Sequence, residues 1–198
     1  MERKVSASTP TAGHDDHAVV FYADDCELAE RVGEFLCDAL RTGGVAVLIA
    51  TPAHRLALDA WMGLAGFDVA AATAQGSYVE LDAAETLAKF MVNDWPDPAE
   101  FWQVISPVIQ QAGESATPVH VFGEMVALLW EAGQAAAAID LEALWNEMAS
   151  RHSFSLLCGY SASSVSDPEL SDALTQVCLA HTAASGVPPN LGQVALPD

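Results

Sequence analysis

Apolar residues along this chain fall into two alternating patterns: short unbroken runs, and longer stretches in which they return every three or four positions. The run "AVVFY" (18–22) is followed by "ADD", a polar helix start, and then Leu28, Val32, Phe35, Leu36, Ala39 and Leu40 recur at helical spacing until "TGG" stops them. "VAVLIA" (45–50) is apolar throughout, as a strand covered on both faces must be. Thr51 and Pro52 then take the cap and first-turn positions of a helix bearing Leu56, Ala60, Trp61 and Leu64, which Gly66 ends. "FDVAA" and "SYVEL" read as two weaker extended segments, with Asp82 as the cap of a helix bearing Leu87, Phe90 and Met91.

The alternation continues to the carboxyl end. Asp97 and Pro98 open another helix, which Pro107 should kink by removing a backbone donor. "VHVF" is the next strand, followed by the helical runs "EMVALLWEAG" and "AAAIDLEALWNEMASRH", the second with Ala137, Leu141, Leu144, Trp145 and Met148 on one face. "FSLLCGY" (154–160) is another buried strand, and Asp167 and Pro168 open a last helix with Leu170, Leu174, Val177, Cys178 and His181 on one stripe. Strands that are apolar on both faces and alternate with helices predict a three-layer α/β fold, a mainly parallel sheet flanked by helices. Ligands of such sheets gather beyond the carboxyl ends of the strands. Those ends hold Tyr22 to Asp25, Thr51 to His54, Asp82, Gly123 with Glu124, and Gly159 with Tyr160.

Charge narrows the partners. Against 7 Lys plus Arg stand 27 Asp plus Glu, a net charge of -20, and the few cations are scattered. Such a surface repels phosphate backbones and anionic lipids, so nucleic-acid and membrane-surface binding are set aside. No run approaches the roughly 20 apolar residues that cross a bilayer, and the amino end "MERKVSASTPTAGHDD" has no apolar signal core. The expected location is cytoplasmic. Cys26, Cys37, Cys158 and Cys178 are irregularly spaced within apolar patterns and read as reduced thiols. The expected organisation is a flexible polar leader over 1–16, a single domain over 17–184 and a loose tail over 185–198.

Most familiar site chemistries find no pattern here. The connection after the first strand, "FYADDCELAE", has no glycine-rich turn, and its aspartates would repel a triphosphate. There is no GxGxxG, no G-x-S-x-G, and Cys158 lies in an apolar strand that would keep it protonated. "HDDH" (14–17), or Cys178 with His181 one helical turn on, supply ligand types but no closed set, so no metal or cofactor is expected. Glu124, placed after an apolar strand and a glycine, has two readings. It serves the positive end of the next helix, or it lines a site with a partner such as His120, Arg151 or His54.

Taken together, "HAVVFY", "ATPAHR", "ELDAAETLAKFM", "PVHVFGEMVALLWEAG", "LEALWNEMASRHSFSLLCGY" and "VCLAHT", in this order and spacing, resemble the MEDS sensory domain of methanogen and methylotroph signalling proteins. The resemblance implies a RecA-like or KaiC-like (circadian-clock-type) core lacking a phosphate-binding loop. It also implies sensing of small hydrocarbon derivatives and association with histidine-kinase-like or sigma-factor regulatory proteins. By position, His17, Tyr22, His54, Gly123, Glu124, Trp145, Asn146, Cys158, Tyr160 and His181 match the family pattern, whereas His120 stands where an arginine is common.

The leading expectation is a non-enzymatic sensory domain with Tyr22, His54, Glu124, Tyr160, His17 and His120 around a small, largely apolar ligand. Tyr22 and Tyr160 are expected to wall one crevice. A ligand-free interaction module with an acidic docking surface is the second reading, and a hydrolase using Glu124 as general base with a histidine is the third.

Overall fold

In the computed structural model, which describes residues 17–113 and 118–186, the two hydrophobic periods become the following elements. Strand β1 (His17–Tyr22) leads to helix α1 (Asp25–Arg41), then β2 (Val45–Ala50), α2 (Pro52–Leu64), α3 (Val69–Gln75), β3 (Tyr78–Asp82) and α4 (Ala83–Ala88). A two-stranded hairpin, β4 (Met91–Val92) and β5 (Trp95–Pro96), precedes α5 (Pro98–Gly113). The remainder is β6 (Val119–Gly123), α6 (Met125–Glu131), α7 (Ala135–Ala149), β7 (Ser155–Ser161), α8 (Ser171–Leu179) and β8 (Ala183–Ser185). The leader 1–16, with all of "HDDH" except His17, lies outside the described residues, as does the tail from residue 187.

Six strands form one parallel sheet in the order β3-β2-β6-β7-β1-β8. Alternate residues of each strand feed two separate cores. Val20, Tyr22, Leu48 and Phe122 pack with Leu28, Val32 and Leu36 of α1 and Leu58 and Met62 of α2. Val19, Phe21, Ile49, Val121, Cys158 and Tyr160 pack under α4 to α8. The fold is therefore three-layer α/β, as the alternation predicts.

Caps explain most boundaries. Asp24, Asp68 and Asp82 each accept a hydrogen bond from the backbone N–H three residues on, at 2.9 Å. The β1–α1 connection is only Ala23 and Asp24, so an acidic cap stands where a phosphate loop would need room and glycines.

Several expectations are corrected. "FDVAA" is not extended: Asp68 caps it and Gly76, at φ 73°, closes it as helix α3. Phe90 and Met91 lie beyond α4, because Asn93 and Asp94, at φ 51° and 66°, turn the chain into the β4–β5 hairpin. Asp167 caps a short 3-10 turn (Pro168–Leu170), not α8 itself, and His181 falls past the end of α8. Ala183–Ser185 forms an edge strand beside β1. Pro107 lies inside helix α5, where the kink is expected.

Helices α1 and α2 cross at Gly33. A Cβ built there would lie 2.2 Å from the Trp61 ring. Gly33→Ala is expected to cost about 1–3 kcal/mol, as overpacking does in a filled core, and the denaturation midpoint in urea measures it. A loss no greater than at exposed Gly63, where a Cβ meets nothing, would show that α2 shifts freely.

Candidate functional site

Glu124 occupies the N-cap position of α6, but its carboxylate does not cap that helix. Its backbone, at φ -115° and ψ 9°, follows the end of β6 and donates from its N–H to Ile49 O at 3.1 Å. The side chain reaches sideways to the neighbouring strand end. Oε1 accepts from the Thr51 backbone N–H at 2.6 Å, and Oε2 accepts from His54 Nδ1 at 2.6 Å. Thr51 caps α2 and His54 sits in its first turn, so a residue 70 positions away orders the start of that helix. With 3% exposure, Glu124 is a buried carboxylate satisfied on both oxygens.

The far side of the imidazole meets the opening of α1. His54 Nε2 lies 3.4 Å from Asp25 Oδ1, a long contact to a side chain that is 76% exposed. The hydrogen bond with Glu124 raises the His54 pKa above that of an ordinary imidazole; burial opposes this, and the Glu124 and Asp25 charges reinforce it. Tyr22, at the end of β1, presents its ring edge-on to His54 at 5.9 Å between centroids. Burial foremost, then the Glu124, Glu131 and Asp25 charges, push its phenol up, so Tyr22 stays neutral. Gly159 makes room for this arrangement. A Cβ there would meet the Phe122 ring at 2.9 Å and Tyr22 at 3.7 Å.

The rim thus brings together Tyr22, His54 and Glu124, and adds Thr51 and Asp25. The remaining residues of the expected site lie elsewhere. Tyr160 does not wall the same crevice as Tyr22, because β1 and β7 pair Phe21 with Tyr160 and Tyr22 with Ser161. Tyr160 consequently projects from the opposite face of the sheet, against Trp130 and α7. His120 is in the first half of β6, stacked on Phe35 at 4.5 Å and donating from Nδ1 to Phe35 O at 2.7 Å. It braces α1 at the other end of the strand. His17 begins β1, also away from the carboxyl rim.

His17 and Tyr160 belong to a second constellation, centred on Glu142 of α7. Its Oε1 accepts from Tyr160 OH at 2.8 Å, and its Oε2 accepts from Cys158 Sγ at 3.2 Å. The same Oε2 lies 3.2 Å from His17 Nε2 and 3.4 Å from His181 Nε2. His17 Nδ1 donates to Asn146 Oδ1 at 2.9 Å, since Asn146 Nδ2 is committed to Ala180 O at 3.0 Å. His181 Nδ1 donates to Val177 O at 2.6 Å. The two imidazoles stand 4.1 Å apart.

Burial acts most strongly on the Glu142 carboxyl and would raise its pKa. The His181 and His17 imidazoles reverse that and hold it well below the usual carboxylate range. Desolvation lowers His181, yet the nearby charge of Glu142 and the backbone bond to Val177 O leave it raised overall. Burial, with Glu142 beside it, pushes the Cys158 thiol well up.

Glu142 was absent from the residues the sequence analysis singled out. A signal for it existed. Ala138, Leu141, Trp145 and Met148 form the buried stripe of α7, and Glu142 stands inside that stripe. A carboxylate on a buried helix face demands partners. His181 groups with Cys158, 23 residues earlier, and Cys178 is not in the cluster.

The family model described as "MEDS: MEthanogen/methylotroph, DcmR Sensory domain" matches residues 16–176, which include every residue of the rim. No curated protein matches the chain. Among the described residues, no single helix is long and apolar enough to cross a membrane.

Proposed function

The chain belongs to the MEDS family of sensory domains, and from that premise we propose that its signal enters at the strand-end rim, where His54 is held between Glu124 and Asp25 beside Tyr22. The observation that carries this reading is the buried Glu124 carboxylate. It fixes Thr51 N–H and His54 Nδ1 at 2.6 Å each, which turns Nε2 of the imidazole toward the loosely held Asp25.

A small, largely apolar ligand bearing one acceptor atom replaces Asp25 at His54 Nε2 and packs on Tyr22. Loss of the Asp25 contact frees the starts of α1 and α2 from each other. The change leaves through α2, whose outward face carries Leu56 and Leu64, 72% and 90% exposed. The receiver is a separate histidine-kinase-like or sigma-factor regulatory protein in the cytoplasm. The four free cysteines accord with a reducing compartment.

We read the rim as non-catalytic. A general base should be unprotonated near working pH, and the Glu124 hydrogen bond favours the protonated imidazole.

The experiment is a thermal-shift screen of the full chain with short halogenated and oxygenated hydrocarbons. A binder at 100 times its Kd stabilises the fold by about 2.7 kcal/mol. The response is expected to vanish in His54→Gln and weaken in Tyr22→Ala. A binder whose stabilisation is the same in both variants and in the wild type would move the sensory site away from the rim.

A further inference from the structure

We propose that His17, Glu142, Cys158 and His181 form a closed four-ligand site for a divalent cation of the zinc class, buried on the face of the sheet opposite the rim. This inference is independent of the reading of the rim. One donor atom from each residue lies within 4.8 Å of the other three. Four of the six separations are close to 3.3 Å. His17 Nε2 to Cys158 Sγ is 3.3 Å, His17 Nε2 to Glu142 Oε2 is 3.2 Å, Cys158 Sγ to Glu142 Oε2 is 3.2 Å, and His181 Nε2 to Glu142 Oε2 is 3.4 Å. Zinc bonds of about 2.0–2.3 Å in tetrahedral geometry require donor separations of about 3.3–3.8 Å. These four separations lie within that range or just under it.

The outer hydrogen bonds point the same way. Val177 O only accepts, so His181 Nδ1 carries the hydrogen and Nε2 is the nitrogen turned inward. Asn146 Oδ1 fixes His17 in the same sense. Tyr160 OH holds the second oxygen of Glu142, leaving Oε2 for the centre. Metal-binding histidines and carboxylates are oriented by this kind of partner.

A further observation is independent of these distances. His181 is only 2% exposed, and its Nε2, turned into the cluster, has a 3.4 Å contact with Glu142 Oε2 that lacks hydrogen-bond geometry. A buried polar atom left in that state is costly, and a metal bond satisfies it.

Charge and chemistry also balance. The glutamate carboxylate and the cysteine thiolate contribute two negative charges, which a divalent ion neutralises. Binding forms four metal–ligand bonds and releases to solvent the Cys158 thiol proton and any proton held on the inward Nε2 of His17 or His181. Four positions all supplied by protein, with none left open for water or substrate, describe a structural zinc site, not a catalytic one. The ligands come from β1, α7, β7 and the link between α8 and β8, so the ion ties the last strand to the middle of the sheet. That link also donates from Thr182 N and Oγ1 to His17 O, at 2.7 and 2.9 Å.

The test uses the full chain expressed with zinc supplied. Elemental analysis is expected to give about one zinc per chain, and chelation should lower Tm. Cobalt added to the chelated protein should produce strong tetrahedral visible absorption and a thiolate-to-cobalt charge-transfer band. Cys158→Ser should abolish that band, while Cys26→Ser and Cys178→Ser retain it. Asn146→Ala should keep the band and weaken zinc binding about 10–100-fold, as loss of an orienting partner does. A folded wild-type chain with no stoichiometric zinc and no thiolate band would overturn the site, leaving an ion-pair network only. A band that persists in Cys158→Ser would overturn it equally.

Discussion

Glu142→Ala is expected to destabilise the folded chain by about 3–5 kcal/mol, the range for removing one partner from a buried ionic group. Glu142 is 0% exposed, and its two oxygens serve Tyr160, Cys158, His17 and His181. Alanine leaves all four facing one another in an apolar core without the carboxylate that joins them. The loss should be visible in urea unfolding with chelator present as well as with zinc, because the stranded groups remain in both. Tyr160→Phe removes only the 2.8 Å bond to the carboxylate and should cost about 1.5–3 kcal/mol. Since both changes act on one network, the double variant should lose less than the sum. A Glu142→Ala chain within 1 kcal/mol of wild type, a threshold well below the buried-pair range, would mean the cluster is not a cohesive unit.

Glu124→Gln is the second large effect, about 1.5–3 kcal/mol, as for hydrogen bonds to a charged group. Glutamine still has an oxygen for the Thr51 N–H, but it cannot offer a negative charge to His54. The pH dependence follows from the raised folded-state pKa of His54. A raised histidine pKa contributes stability that is complete below the unfolded value of about 6.5 and is lost as pH rises through the folded value. The difference between wild type and Glu124→Gln should therefore be largest on the acid side of neutrality and shrink in alkali. Urea midpoints across that pH range measure it. A difference that grows with rising pH would contradict a charged His54.

The sequence carried the strand–helix alternation because both periods are local. It also carried the caps. Thr51, Asp82 and Asp24 are followed by helices for reasons visible within four residues. "FDVAA" misled because its apolar residues resemble a weak strand, while the decisive signals were Asp68 before it and Gly76 after it.

The site was harder to read because it depends on pairing across the sheet. Glu124 had three candidate partners, and only the adjacency of β2 and β6 selects His54 over His120 and Arg151. A single residue of register decides which face a side chain takes. The pairing of Tyr160 with Phe21 instead of Tyr22 sends the two tyrosines into different cores. The Glu142 cluster joins His17 and His181, about 164 positions apart, ring against ring, beyond the reach of any local pattern, although the glutamate inside an apolar stripe marked one member.

The claim on which the functional reading stands is that Glu124 keeps His54 charged at the carboxyl edge of the sheet. NMR titration of the His54 ring nitrogens, in wild type and in Glu124→Gln, tests it most directly. The account predicts a wild-type pKa above the ordinary imidazole value that falls toward it in the variant, with Nδ1 remaining a donor. A His54 that titrates at the same pH in both proteins would contradict it.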